Sequence, residues 1–443
     1  MDKSVWMYFF KSPKNKIHPL TGRRMYVPRM STGGARCMAA AFRSIGVDAH
    51  VSPPSDEATL TLSARFTTGE ECLPQRVTLG NFLKVIEQKD FEPSRTAFFL
   101  PTSSGPCRFG QYAPLLRKIL RELSCDEVLV FSPTSSDGYE GIAGHTLRFL
   151  RTAWRAIVVS DILRKMLLMI RPYEKNPGET DRVHNAALDT VCQILADGSL
   201  DSKIQLKRLV NALEEIRDRF VQIPLDEELS SRPLVGAVGE IYLRFNSFSN
   251  QDMVRRIEAL GGEVWMADIS EWIWYTNSEE KRRLCEAGKH ISSAMLRAKI
   301  RHKIQHSDEK ALLAPFHGIF LHRPEPRVET LLKYSKPYLP ANMAMGEMTL
   351  NTGKSIAFFY AGCDGIVDIS PFTCMNGIVT EVIYPHVSRD HSDIPIRIFY
   401  FDGAPFDLDG DLEIFMEQVK SYQKNKINRI EKDTRCGKIL KNP

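Results

Sequence analysis

The feature that most constrains the fold is a regular alternation of short apolar segments and amphipathic segments in the first third of the chain. Apolar segments of strand length alternate with segments of helical periodicity. The strand candidates are 25–30, 48–54, 96–101 and 127–133, and the helix candidates are 34–45, 77–88 and 114–123. A strand–helix–strand rhythm predicts a parallel sheet covered by helices. Such sheets bind ligands at the carboxyl ends of their strands, so the loops 69–74 and 101–112 are candidate site loops.

Two further regions complete the organisation of the chain. Residues 147–220 keep helical periodicity without a strand pattern, and a second α/β region opens at RPLVGAVGEIYLRFN (232–246). It is interrupted by a helix-rich, basic segment at 279–310 and resumes near Lys354. We therefore expect an α/β protein with two Rossmann-like (flavodoxin-like) parallel-sheet lobes and a helical layer between them. The expected boundaries are 1–146 for the first lobe, 147–231 for the helical segment, 232–419 for the second lobe and 420–443 for a basic C-terminal tail.

Composition narrows the class of protein and its compartment. A chain of 443 residues with 43% hydrophobic and 26% charged residues is typical of a globular protein of several domains. The 59 basic residues exceed the 54 acidic ones too slightly to indicate nucleic-acid binding. The N-terminal MDKSVWMYFFKSPKNK has no cleavage site for secretion, and no segment has membrane-spanning length. We expect a cytoplasmic protein without a membrane or nucleic-acid partner.

The nine cysteines contain no CxxC pair, so any metal site must be assembled by folding from distant residues. Three have unusual settings: Cys72 in TTGEECLP, Cys107 in PTSSGPCRFGQY and Cys374 in ISPFTCMNG. Glycine or proline stands close to each, which lets backbone amides approach a bound group. Cys363 in AGCDG is a possible additional ligand. We expect the remaining cysteines to pack as small apolar residues. The same packing role is the alternative for the four cysteines just named.

Two segments that resemble phosphate-binding motifs are set aside. NTGKS (351–355) ends like a P-loop, but Met348 stands where the first glycine of that loop is required. GAVGE (236–240) follows a predicted strand, but it reads GxxG and precedes no immediate helix. We expect a tight strand-to-loop turn at the second segment and a nucleotide site at neither.

Several polar residues near these loops are candidates for chemistry. Arg108 adjoins a candidate ligand and could stabilise its negative charge or a substrate oxyanion, although an ion pair would also explain it. Glu240 and Arg244 could reach the cleft, or form a buried pair that fixes the loop. Ser103 and Ser104 could hydrogen-bond a substrate or a cluster sulfide, or serve turn formation alone.

Several segments together carry a resemblance to a known superfamily. They are YVPRMSTGGARCMAAAFRSIGVDA, TTGEECLPQRVTLGNFL, AFFLPTSSGPCRFGQY, RPLVGAVGEIYLRFN and SPFTCMNGIVTEV. They resemble the 2-hydroxyacyl-CoA dehydratase and double-cubane cluster protein superfamily, in particular the C-terminal region of the long CoA-activase-type proteins. The resemblance runs in order from about Met25 to Asp402, and GPCRFGQY combined with GEIYLRFN is specific.

The resemblance implies an iron–sulfur cluster on three cysteines, which map by motif to Cys72, Cys107 and Cys374. Family members usually read PFTCMPG at the last site, and here Asn376 replaces the proline, so we expect a less rigid loop. Three thiolates leave one iron open to a substrate oxygen or a bridging sulfide. The cluster is then a 4Fe–4S cubane or a double-cubane 8Fe–9S cluster, whose further thiolates come from a second copy or from Cys363 with others.

The resemblance also implies a function and partners. We expect an iron–sulfur reductase or a 2-hydroxyacyl-CoA dehydratase-like (lyase) component with low-potential one-electron chemistry. It would take electrons from a separate ATP-hydrolysing activator in an anaerobic cytoplasm, as a homodimer or heterodimer. Two alternatives stay open: a non-catalytic electron relay or accessory scaffold of a CoA activase, and a homologue that has lost its cluster.

Overall fold

The computed structural model describes residues 19–103, 105–134, 146–226, 232–340 and 346–435. The chain forms two compact units. The first contains the residues up to Glu71, Gln75–Ile157 and Leu188–Leu209, and the second contains Cys72–Pro74, Val158–Ala187 and the residues from Val210 onward. Residues 147–231, which we expected as a helical segment of their own, are therefore shared between the two units.

The first unit is built on a four-stranded parallel sheet with the strand order β2-β1-β3-β4. Its strands are β1 Arg24–Val27, β2 Asp48–Val51, β3 Thr96–Phe99 and β4 Leu129–Phe131. In the register of the central strand, Met25 pairs with Ala49 on one side and with Ala97 on the other. The helices that alternate with these strands are α1 Thr32–Arg43, α2 Glu57–Ala64, α3 Leu73–Ile86 and α4 Tyr112–Glu122.

Local signals explain where these helices begin. The hydroxyl of Ser31 accepts a hydrogen bond from the amide of Gly34 at 3.0 Å and so caps α1. Asp56 and Thr59 form a reciprocal capping box at the start of α2. The sheet then buries large apolar side chains, of which Phe98 is stacked on another phenylalanine with ring centres 4.3 Å apart. Apolar burial of this kind is the main stabilising contribution in the unit.

Three long helices follow β4, as the periodicity predicts. They are α5 Thr146–Ile170, α6 Glu179–Ala196 and α7 Ser202–Val221. Each of them contributes residues to both units. Among the described residues, no helix combines the length and apolar character that a membrane crossing requires.

The second unit contains another four-stranded parallel sheet, with the order β6-β5-β7-β8. Its strands are β5 Leu234–Gly239, β6 Glu263–Met266, β7 Gly365–Pro371 and β8 Ile396–Phe401. Its helices are α8 Ile241–Phe245, α9 Met253–Ala259, α10 Ile269–Glu286, α11 Ser293–Leu313, α12 Val328–Ser335, α13 Glu347–Tyr360, α14 Met375–Asp390 and α15 Leu408–Arg435. Both sheets have the same strand order when each is counted from its own first strand. The expected α/β class with two parallel-sheet lobes is confirmed.

Short 3-10 helices and one long terminal helix complete the structure. The 3-10 helices are Pro93–Arg95, Arg108–Gln111, Arg171–Tyr173, Ala314–Phe316 and Ile319–His322. The expected C-terminal tail from residue 420 continues α15 as far as Arg435, and residues 436–443 lie outside the described part of the chain.

Candidate functional site

The three cysteines singled out by the sequence share one local setting, because each directly precedes a helix. Cys72 precedes α3, Cys107 precedes the 3-10 helix Arg108–Gln111, and Cys374 precedes α14. The first turn of a helix has amide groups without intrahelical partners and carries the positive end of the helix dipole. Such a position offers amide donors to a nearby sulfur, as the thiolate ligands of a cluster use them.

The loop of Cys107 is tied to the segment that leads to Cys72. Cys107 is exposed and follows Gly105, whose φ of 130° is in the region that favours glycine. The neighbouring Arg108 donates a hydrogen bond from Nη1 to the carbonyl oxygen of Glu70 at 2.9 Å. Glu70 lies two residues before Cys72, so Arg108 connects the two motif loops. The structure thus gives Arg108 a positioning role, and its predicted contact with a substrate or cluster stays a prediction.

The GEEC loop has a defined turn of its own. The carboxylate of Glu71 accepts hydrogen bonds from the amides of Thr68 at 3.0 Å and Gly69 at 3.1 Å. Gly69 has a φ of 93°, which this turn requires. Pro74 is the second residue of α3, where its missing amide hydrogen removes no helical hydrogen bond. The turn and the helix start together fix the backbone on both sides of Cys72.

Cys374 is partly buried at the carboxyl end of β7. Burial raises the pKa of its thiol, and the nearby carboxyl groups of Glu347 and Glu240 raise it further. The backbone amides of Gly377 and Asn376 act in the opposite direction, because they stabilise the thiolate. A bound metal cation would add to the effect of the amides and hold the sulfur deprotonated.

Asn376 occupies the position where the resembling family has proline. Its side-chain oxygen accepts a hydrogen bond from the amide of Met348 at 3.3 Å, and the residue is 6% exposed. The bond ties the first turn of α14 to the first turn of α13. Asn376 thus makes a side-chain contact that a proline could not make, and the expected lower rigidity of the loop stays a prediction.

The end of β5 shows why glycine precedes Glu240. Gly239 has a φ of 122°, and a Cβ atom there would lie 2.2 Å from the carbonyl oxygen of Ile369 in β7. The amide of Glu240 donates to that same oxygen at 3.0 Å. A residue with a side chain would push the two strands apart at this point.

The segment after Glu240 differs from our prediction, whereas the predicted role of Glu240 at the cleft stays a prediction. The helix α8 begins immediately after it, so the expectation of no helix after GAVGE was wrong. The Glu240 carboxylate caps this helix, accepting from the amides of Tyr242 at 3.1 Å and Leu243 at 2.8 Å. Within the described residues, Glu240 and Arg244 form no ion pair, so the predicted alternative of a buried pair is also not observed.

Two acids that the sequence analysis missed lie at the same edge of the sheet. Glu347 accepts a hydrogen bond at Oε1 from the amide of Ile241 at 2.8 Å, and burial raises its pKa to about 8. Asp368 in β7 accepts hydrogen bonds from Ser370 at 2.6 Å and from the phenol of Tyr384 at 2.7 Å. Burial raises the pKa of Asp368 as well. A charged residue inside the apolar strand IVDISPF was the signal that could have found Asp368.

Cys363, the predicted additional ligand, lies at the opposite end of β7 from Cys374. It precedes β7, whereas Cys374 follows it, and a seven-residue strand at about 3.3 Å per residue separates the two by roughly 20 Å. That distance is too long for both thiols to bind one cubane, whereas the predicted part of Cys363 in a double-cubane cluster stays a prediction. Cys363 is also 1% exposed within an apolar cluster with Trp265 and Phe358. It packs as a small apolar residue.

The other predicted residues are placed as follows. Ser104 lies outside the described residues, so its predicted role is not located. The NTGKS segment lies inside α13, and its Lys354 is 1% exposed and paired with the carboxylates of Glu271 at 3.0 Å and Glu325. That lysine is therefore committed to two carboxylates.

The three motif cysteines fit an iron–sulfur cluster in their donor chemistry and in their helix-start settings. Cys107 belongs to the first unit, and Cys374 belongs to the second. Over the ranges that the structure describes, no group of three or more His, Cys, Asp or Glu side chains is gathered in position to hold a metal ion. The assembly of the three thiols around one cluster therefore stays a prediction.

Comparison with known proteins gives no further assignment. No protein-family model matches the chain, and no curated protein matches it.

Proposed function

We propose that this chain is an iron–sulfur protein that works as a reductase or a 2-hydroxyacyl-CoA dehydratase-like component. It receives low-potential electrons from a separate ATP-hydrolysing activator, in an anaerobic cytoplasm and as a homodimer or heterodimer. The observation that carries the proposal is the shared setting of Cys72, Cys107 and Cys374, each directly before a helix start. The resemblance of the surrounding segments supplies the cluster and the partner.

In this proposal Cys72, Cys107 and Cys374 hold the cluster, which supplies one-electron reduction at an iron that has no protein ligand. The amides at the helix starts stabilise the negative charge of the thiolates. Arg108 keeps the loop of Cys107 against the segment before Cys72 through its hydrogen bond to Glu70.

The acids beside Cys374 favour an enzyme over an electron relay. Burial raises the pKa of Glu347 to about 8, which favours its protonated form at neutral pH, and its Oε1 accepts a hydrogen bond from the amide of Ile241. Reduction of a substrate consumes protons as well as electrons, whereas a relay passes electrons alone. A buried carboxylic acid next to a ligand loop therefore supports the catalytic alternative.

The direct test of the cluster is a count of iron and acid-labile sulfide after anaerobic purification. Wild type is compared with Cys72→Ala, Cys107→Ala and Cys374→Ala, with Cys285→Ala as the matched control because Cys285 is an exposed cysteine outside the predicted set. We expect about four irons per chain, or about eight for a double cubane, with loss in the three variants and retention in the control. Equal iron in wild type and in the three variants would refute the cluster.

A second experiment tests the activity. The reduced protein is mixed with candidate activators, ATP and 2-hydroxyacyl-CoA thioesters, and cluster oxidation is followed by absorbance. Oxidation that needs both ATP and the thioester supports a dehydratase component. Oxidation that occurs with an electron-accepting protein and never with a small substrate supports the relay instead.

A further inference from the structure

Arg244 is a buried cation without a counter-ion in contact. The residue is 6% exposed, and its Nε atom is fully buried without a hydrogen-bond partner. Within the described part of the chain, no carboxylate lies within 4.0 Å of its guanidinium group. Burying a charge without a partner is costly, so a protein that keeps one normally has a use for it.

The acids nearest to Arg244 are already engaged by other donors. Glu240 caps α8, Glu347 accepts from the amide of Ile241 at 2.8 Å, and Glu271 pairs with Lys354 at 3.0 Å. Burial raises the pKa of all three carboxyl groups, and none of them lies within 4.0 Å of the guanidinium. Arg244 therefore has acids in its surroundings but makes no direct ion pair at the carboxyl edge of the second sheet.

A second guanidinium contacts the same aromatic ring as the first. The central carbons of Arg164 and Arg244 are 4.4 Å and 4.9 Å from the centre of the Phe245 ring. Arg164 uses Nη2 for Asp161 at 2.9 Å and Asp268 at 2.7 Å, while its buried Nη1 has no partner. Among the described residues, Nε of Arg244 and Nη1 of Arg164 thus lack acceptors, on two arginines that contact one aromatic ring.

We propose that Arg244, together with Arg164, forms a binding site for the carboxylate group of a ligand. A guanidinium group offers parallel N–H donors that match the two oxygens of a carboxylate. The assignment of that carboxylate to the substrate rests on the proposed function. The binding site itself does not depend on the proposed function. The site would select acidic substrates over neutral ones of the same size.

The test uses iron-free protein, so that it is independent of the cluster. The thermal unfolding midpoint is measured with increasing succinate, with sodium chloride at matched ionic strength as the reference. We expect a saturable rise of roughly 3 °C for wild type at a tenfold excess over the dissociation constant. The control Arg255→Met, an exposed arginine outside the site, should keep the full rise.

Arg244→Met separates a binding role from a structural one. Replacement of an unpaired buried charge by an apolar side chain should raise the midpoint of the ligand-free protein and abolish the succinate response. Arg244→Lys should fold and show a response weakened at least fivefold in apparent affinity, because it lacks the parallel donors. A wild type that does not respond, or an Arg244→Lys variant that responds like wild type, overturns the proposal. Iron loading without a succinate response would leave the proposed function standing and remove this site alone.

Discussion

The most exacting prediction concerns the buried ion pairs of Lys354. Its side chain is 1% exposed in α13 and contacts the carboxylates of Glu271 at 3.0 Å and Glu325. Lys165 also pairs with Glu325 at 2.6 Å, so the second carboxylate has another cation beside it. The change Lys354→Met keeps the length and apolar stem of the side chain and removes the charge.

The magnitude follows from what the substitution leaves behind. Removing one partner of a buried ion pair costs about 3–5 kcal/mol in the free energy of unfolding, because the other charge is left uncompensated. Glu325 keeps Lys165, so the stranded group is Glu271. We therefore expect a loss near the lower limit, about 3 kcal/mol at neutral pH. A second change, Glu271→Gln, removes the stranded charge and should restore most of the loss.

The assay is urea denaturation followed by circular dichroism, with Lys299→Met as the control at an exposed lysine of α11. The control should change the free energy of unfolding by less than about 0.5 kcal/mol. A loss in Lys354→Met that is no larger than in the control would refute the reasoning. So would a double variant with Glu271→Gln that is no more stable than Lys354→Met alone.

Three further predictions test other parts of the fold. Burial raises the pKa of Glu309 to about 7, so the stability that its carboxyl group contributes is present below a pH of about 4.5 and is lost as the pH rises to about 7. The urea midpoint of Glu309→Gln should therefore exceed that of wild type at pH 8 and match it at about pH 4. Gly239→Ala, whose methyl group would meet a carbonyl oxygen, should lose about 3 kcal/mol or more by the same assay, against about 1 kcal/mol for Gly362→Ala in open space. Peroxide should oxidise the thiols of Cys37 and Cys192, whose sulfurs are 3.8 Å apart, to a disulfide and water, and peptide mass spectrometry should find this bridge and no other between helices of the first unit.

Much of the fold is predictable from the sequence because its signals are local. The segment TAFFLP (96–101) is apolar, short and bounded by turn residues, and β3 occupies Thr96–Phe99. The segment IVDISPF (366–372) likewise predicts β7. The same prediction implies that Cys363 and Cys374 stand at opposite ends of one strand, so their separation was available from the sequence.

The candidate site is less predictable because its interactions join residues that are distant in sequence. Glu240 caps a helix of five residues, which is too short to show helical periodicity. The ion-pair partners of Lys354 are Glu271 and Glu325, and no residue near the NTGKS segment predicts these contacts. Arg244 has no direct ion pair because three nearby carboxyl groups bind other donors. Tertiary packing alone decides which donors those are.

The shared strand order of the two sheets has an evolutionary consequence. Cys107 follows β3 and Cys374 follows β7, and each of these strands is the third of its own sheet. The two cysteines are thus topological counterparts, as duplication of one ancestral half-protein would leave them. Cys72 has no such counterpart, since β6 leads to Asp268 and α10. Duplication would then account for two of the three thiols, and Cys72 lies outside the topology that the halves share.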